Sequence, residues 1–108
     1  MTLVEDCYRF SGAFPKEELF GLTSQMRRAA VSVPANIAEG YGRDSKGSYV
    51  AFLRNAQGSL KELETHLTLA QRLQLGAFDA AESLLGRCDQ LGRMLRALIR
   101  SLQRTVEE

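Results

Sequence analysis

The chain has no tryptophan, two prolines, two cysteines and one histidine in 108 residues. Each shortage narrows what it can be. Cys7 and Cys88 stand far apart, without the C-x-x-C spacing of a zinc or redox site, a usage that fits a reducing cytoplasm. The lone His66 rules out a multi-histidine metal centre within one chain. The Glu-x-x-His motifs of a di-iron bundle are missing too, since Glu62 and Glu64 precede His66 by four and two residues. No stretch approaches the roughly 18 apolar residues of a membrane span, and no charged start followed by an apolar run marks a leader. A soluble cytoplasmic protein with no membrane partner is the expectation. A formal net charge of only +1 excludes a polycation, so any affinity for nucleic acid must come from local clustering. Gly40-x-Gly42 follows a helical pattern and not a strand, so it is no phosphate loop.

What remains is helix. Few β-branched residues argue against a sheet, and 108 residues suit one domain spanning residues 1–108 around one core. Between Ser45 and Leu75, Tyr49, Leu53, Ala56, Leu60, Leu63, Leu67 and Ala70 recur at steps of four and three. Asp44-Ser45 supplies the cap before this stripe, and Gly76 the stop after it. Leu84, Cys88, Leu91, Leu95, Leu98 and Leu102 repeat the spacing, flanked by Leu85, Ile99 and Val106, with Asp79 and Glu82 as a capping box. The short link Leu75-Gly76-Ala77-Phe78 forces these two helices antiparallel.

Upstream, Leu22, Met26, Ala29, Ala30, Val33, Ile37 and Tyr41 share a face that runs through Pro34. A proline there costs about 3 kcal/mol unless the helix bends. The unbroken apolar phase predicts one kinked helix over two short ones meeting at Val33. Leu3, Cys7, Phe10 and Phe14 predict a short first helix ending near Ser11-Gly12, and Pro15 opens a further turn to Phe20. The fold class expected is all-α: an antiparallel up-down four-helix bundle with a short first helix and a Pro-kinked second.

Three surface patterns could carry function. Arg28, Ser32, Asn36, Glu39 and Arg43 cluster within about 80° on one helix, and Ser48, Asn55, Ser59, Glu62 and His66 form a matching flank on the next. Two such stripes can face each other, as a network fixing register or sealing a subunit interface, or as a ligand site. Phe52, Leu69 and Leu73 leave large apolar groups outside the heptad stripe, which points to self-association. Arg93, Arg96, Arg100 and Arg104 share about 80° of the last helix, and no acidic residue lies between Asp89 and Glu107. One reading is a solvated face complementing the negative end of the helix dipole. The other is a phosphate-binding strip, repeated on every subunit of an oligomer. Eleven of the fourteen basic residues are arginine, whose planar fork suits phosphate. His66 as the base of a small helical nuclease is a third reading, with Lys61 its nearest upstream basic residue. No catalytic residue, metal or cofactor is expected.

The residues also carry a resemblance. Phe14-Pro15-Lys16-Glu17-Glu18 and the run Gly21 to Gly40, through Ser32-Val33-Pro34-Ala35-Asn36-Ile37-Ala38-Glu39-Gly40, resemble the four-helix-bundle proteins encoded in intervening sequences of bacterial large-subunit ribosomal RNA genes. Phe52-Leu53, Ala56-x-Gly58-Ser59, Glu62-Leu63-Glu64-Thr65 and Leu69-Ala70-x-Arg72-Leu73 extend the likeness to Leu75. It implies an up-down bundle assembling as a cyclic pentamer, with no established enzyme activity. A related branch, the accessory protein of diversity-generating retroelements, is a basic ring thought to engage nucleic acid and a reverse transcriptase. The recurring polar positions of the family correspond to Asn36, Glu39, Arg43 and Glu62, whereas its first helix is usually longer than the one expected here. The reading is therefore an oligomeric, non-enzymatic bundle that binds RNA or DNA non-specifically through its arginine strip. A scaffold for a protein partner is the alternative.

Overall fold

A computed structural model describes residues 2–107, with side chains described through residue 104. Helix α1 spans Leu3–Gly12, α2 Leu22–Tyr41, α3 Lys46–Arg72 and α4 Phe78–Glu107, and a 3-10 turn covers Lys16–Glu18. There is no strand among the described residues. Facing pairs fix the directions. Ser32 meets Ser59, Gln71 reaches Phe78 and Glu82, and Asp6 pairs with Arg87, so successive helices run up and down. Each helix packs on its chain neighbours and α4 closes onto α1, while the diagonal pairs stay apart.

The four-three stripes become the core. Leu53, Ala56, Leu60, Leu63, Leu67 and Ala70 of α3 are buried, with Met26, Ala29, Ala30 and Val33 of α2 and Leu84, Cys88, Leu95 and Ile99 of α4 against them. At about 25 cal/mol per Å2 of apolar surface, a buried leucine contributes on the order of 2 kcal/mol, which is the source of helical stability here. Tyr41 departs from expectation. It closes the apolar face of α2 in the sequence, yet it is 79% exposed and meets the Tyr49 ring in a T-shaped contact, at 6.0 Å between centroids. Val106 lies outside the described side chains.

The helix ends follow local chemistry only in part. Thr2 and Glu5 form a reciprocal capping box on α1, which holds the Glu5 carboxyl below its ordinary range. Ser45 caps α3 by accepting from the Ser48 amide at 3.1 Å. The expected box of Asp79 and Glu82 does not form. Helix α4 begins a residue earlier, at Phe78, which puts Asp79 inside the first turn, and Glu82 accepts from Gln71 at 2.8 Å instead. Nor is Gly76 the cap of α3. Gln74 takes the left-handed position with φ 59°, its amide donates to Gln71, and the Leu75 amide donates to Ala70 at 2.8 Å, a Schellman arrangement. Gly76, at φ 71°, serves α1: a Cβ there would come within 2.7 Å of the Phe10 ring. Helix α2 continues through Pro34, which is exposed, so one helix forms and not two. Pro15 precedes the 3-10 turn, and that turn stops at Glu18, short of Phe20.

Helix α1 covers only part of the bundle. Its ten residues span about 15 Å against about 45 Å for the thirty of α4. Where it docks, Phe10 and Phe14 stack edge to face at 5.2 Å, and Cys7 and Cys88 are 0% exposed. Burial pushes the Cys7 thiol up to about 11 and the Cys88 thiol up to about 12, so both are poor nucleophiles. Beyond α1, Ile37, Leu91, Leu98 and Leu102 are only partly buried and Met94 is 64% exposed.

Candidate functional site

The two polar stripes meet. Ser32 and Ser59 share a hydrogen bond of 2.8 Å across the α2–α3 contact, and the Asn36 amide donates to the Ser32 hydroxyl at 3.0 Å and to its carbonyl at 2.9 Å. A turn further on, Gly40 brings the helices close, since a Cβ there would lie 2.7 Å from that of Phe52. Arg43 donates to Glu39 at 2.6 Å and lies over the Phe52 ring at 4.8 Å. Glu62 and His66 pair within α3 at 3.4 Å. The stripes are thus joined at one point, and their outer members pair along their own helices. Asn55 is exposed, and Arg28 makes no hydrogen bond or ion pair among the described residues.

Phe52, Leu69 and Leu73 are not one patch. Phe52 is half-buried under Arg43 on the α2 side. Leu69, 42% exposed, edges a depression shared with Lys61, Arg72 and Leu85 on the α4 side, and Leu73 is 54% exposed near the end of α3.

The arginine strip is where the periodicity placed it. Arg93, Arg96, Arg100 and Arg104 are all exposed on α4. Arg93 is held by Asp89 at 3.1 Å, a surface pair worth little. Arg96, Arg100 and Arg104 form no ion pair among the described residues.

A groove missed in the sequence opens beside α1. Tyr8, Leu19, Phe20 and Val31 line a recess of ≈ 680 Å3 together with Arg27 and Arg28. Phe20 is 90% exposed. Arg27 is fixed there, donating to the Ser11 hydroxyl at 2.9 Å and lying over the Tyr8 ring at 4.7 Å. The one signal in the sequence is Leu19-Phe20 beside Gly21, apolar residues outside every helical stripe. Among the described residues no group of three or more His, Cys, Asp or Glu is placed to hold a metal ion. Among the described residues no helix is long and apolar enough to cross a membrane.

These features define an all-α, up-and-down bundle whose distinctive chemistry lies on its outer faces and not in an enclosed cavity. The chain belongs to the 23S rRNA-intervening sequence protein family, whose model matches residues 1–97. The match takes in α1 and most of α4, beyond residues 14–75 that carry the resemblance in sequence. A crystal structure of a protein of unknown function from the S23 ribosomal protein family of Bacteroides thetaiotaomicron shares the fold, with a TM-score of 0.74. It is 20% identical over 91% of this chain and 98% of that one. No curated protein matches the chain. Neither the family nor the structural neighbour points to an enzymatic family.

Proposed function

We propose that this chain is a non-enzymatic homo-oligomer, pentameric as in the proteins it resembles, that binds RNA or DNA non-specifically. Arg93, Arg96, Arg100 and Arg104 carry the contact. The supporting observation is that all four arginines are exposed and that, among the described residues, Asp89 is the one carboxylate paired with the strip. A merely soluble face intersperses both signs, and a helix end needs far fewer cations to satisfy its dipole. Repetition of the strip by symmetry multiplies a weak contact into a useful one. Self-association is supported by Tyr41, Met94, Leu69 and Leu73, exposed apolar groups on a chain whose Leu91, Leu98 and Leu102 are only partly buried. Asn36, Ser32 and Ser59, with Arg43 over the Phe52 ring, hold α2 and α3 in register in this reading, while Glu39 steadies Arg43 and Glu62 pairs with His66.

Binding of labelled oligonucleotide across a salt series tests it. Affinity that falls steeply with salt is expected, and changing the four arginines to glutamine flattens the slope by about one for each phosphate no longer neutralised. Undetectable binding at low ionic strength, or an unchanged slope in the variant, overturns the reading. Light scattering that returns a monomer overturns the oligomer. The recess around Phe20 favours a second reading, a scaffold whose partner is another protein. That reading gains if Phe20→Ser abolishes a partner complex while the arginine variant does not.

A further inference from the structure

The strip on α4 has a second wall, and it lies on α3. Between these helices a cleft of ≈ 370 Å3 is lined by Arg54, Gln57, Gly58 and Lys61 on one side and by Gly92 and Arg96 on the other. Glycine stands on both walls. Gly92 lies against α3, and a Cβ on it would meet the Leu60 side chain and the Arg96 guanidinium, each at 3.5 Å. Gly58 has nothing within 4 Å of where its Cβ would be. The floor of the cleft, at Gly92 and Leu60, is apolar, its mouth is free of bulk at Gly58, and its charge is one-sided. Arg54 and Arg96 make no ion pair among the described residues, and Lys61 meets only Glu64, at 3.5 Å with the lysine side chain 71% exposed.

From this geometry we infer that the α3–α4 cleft is a phosphate seat, in which a phosphodiester of a nucleic-acid strand is held between Arg54 and Arg96 with Lys61 at the rim. The inference rests on the nucleic-acid reading above and adds α3 to it. Two guanidiniums facing one opening repel each other until an anion sits between them, and their planar forks match the oxygens of a phosphate. A polyanion fits better than a single anion because the cations continue out of the cleft. Arg93, Arg96, Arg100 and Arg104 follow one another at steps of three and four residues, about 4.5–6 Å of rise each. The strand then runs along α4 and is clamped where it passes α3.

The experiment is fluorescence anisotropy of the full chain with a labelled single-stranded oligonucleotide and with a duplex, over a salt series. Arg54→Gln is the decisive variant, because Arg54 lies outside the α4 strip. It should weaken binding about tenfold at low salt and reduce the salt slope by about one, and Arg54→Gln combined with Arg96→Gln should reduce it by about two. Gly58→Glu puts a carboxylate at the open wall on a residue that favours helix over glycine, so it folds and should weaken binding at least as much. Arg72→Gln, about five turns along α3, should change nothing. If the four α4 arginines matter while Arg54→Gln and Gly58→Glu bind as the native chain does, the cleft inference fails and the strip survives. If the native chain binds neither oligonucleotide at low salt, both fail. If polyglutamate displaces the oligonucleotide as well as unlabelled nucleic acid does, the cleft takes carboxylates and the phosphate assignment is overturned.

Discussion

Near the α3–α4 link four helices surround the core, and Cys7, Leu67 and Cys88 are 0% exposed. Toward the other end α1 has run out, and three helices share the work of four. Arg87 turns toward α1 and pairs with Asp6, whereas Met94 and Leu98, seven and eleven residues later on the same face of α4, lie beyond the start of α1. Met94 is accordingly 64% exposed and Leu98 only partly buried. The same open end carries Arg96, Arg100 and Arg104 without carboxylate partners among the described residues. Cover over the α1-facing side of α4 is therefore greatest where the bundle is closed, and the arginines without carboxylate partners among the described residues gather where it is open, while the Phe20 recess lies beside α1.

The largest effect that tests this division comes from matched truncations. Leu67→Ala, in the closed end, should cost about 3 kcal/mol in urea unfolding, since it removes a fully enclosed side chain from a close-packed site. Leu98→Ala should cost about 1 kcal/mol, because part of its surface is already wet. Equal losses would show the open end to be packed as tightly as the closed one. Dependence of the Leu98→Ala loss on protein concentration would show instead that a second copy covers the open end.

The buried thiols give a smaller, pH-dependent test of the closed end alone. Unfolded thiols ionise near pH 9, whereas burial keeps Cys7 protonated to about 11 and Cys88 to about 12. Above pH 9 the unfolded chain binds fewer protons than the folded one, so their stabilising contribution is complete below pH 9 and is lost as pH rises through that window. Between about pH 8 and pH 10 the loss should be about 1 kcal/mol per thiol. Replacing both cysteines by alanine should remove that part of the alkaline decline in the urea midpoint. An unchanged decline would mean that water reaches the thiols and that α1 does not seal its end.

Much of this contrast is legible in the sequence. Period alone finds α3, α4 and nearly every core residue, because amphipathic helices advertise their buried face. It finds the arginine strip for the same reason. What it misses depends on contacts between segments distant along the chain. Gln74 takes the left-handed cap expected of Gly76, since Gly76 is needed against the Phe10 ring of α1. Tyr41 keeps the helical phase of α2 but lies past the reach of α1, so phase without a partner does not bury it. Arg54 reads as an ordinary surface arginine until α4 is laid beside α3. The Phe20 recess is invisible for a similar reason: it is assembled from α1, a turn and α2.

The smallest test lies where the two polar stripes touch. Ser32 and Ser59 share a part-buried hydrogen bond of 2.8 Å, and Asn36 donates to the same Ser32 hydroxyl at 3.0 Å. Ser32→Ala strands the Ser59 hydroxyl, and Ser59→Ala strands Ser32 only in part, because Asn36 still pairs with it. Each should cost about 1 kcal/mol, Ser32→Ala the more. The double variant removes both partners together, so a double-mutant cycle should return a coupling of about 0.5–1 kcal/mol. A cycle that closes at zero would mean that each hydroxyl is satisfied independently by water. The stripes would then be two solvated flanks, and the register of α2 on α3 would rest on the apolar core and on the close approach of Gly40 to Phe52.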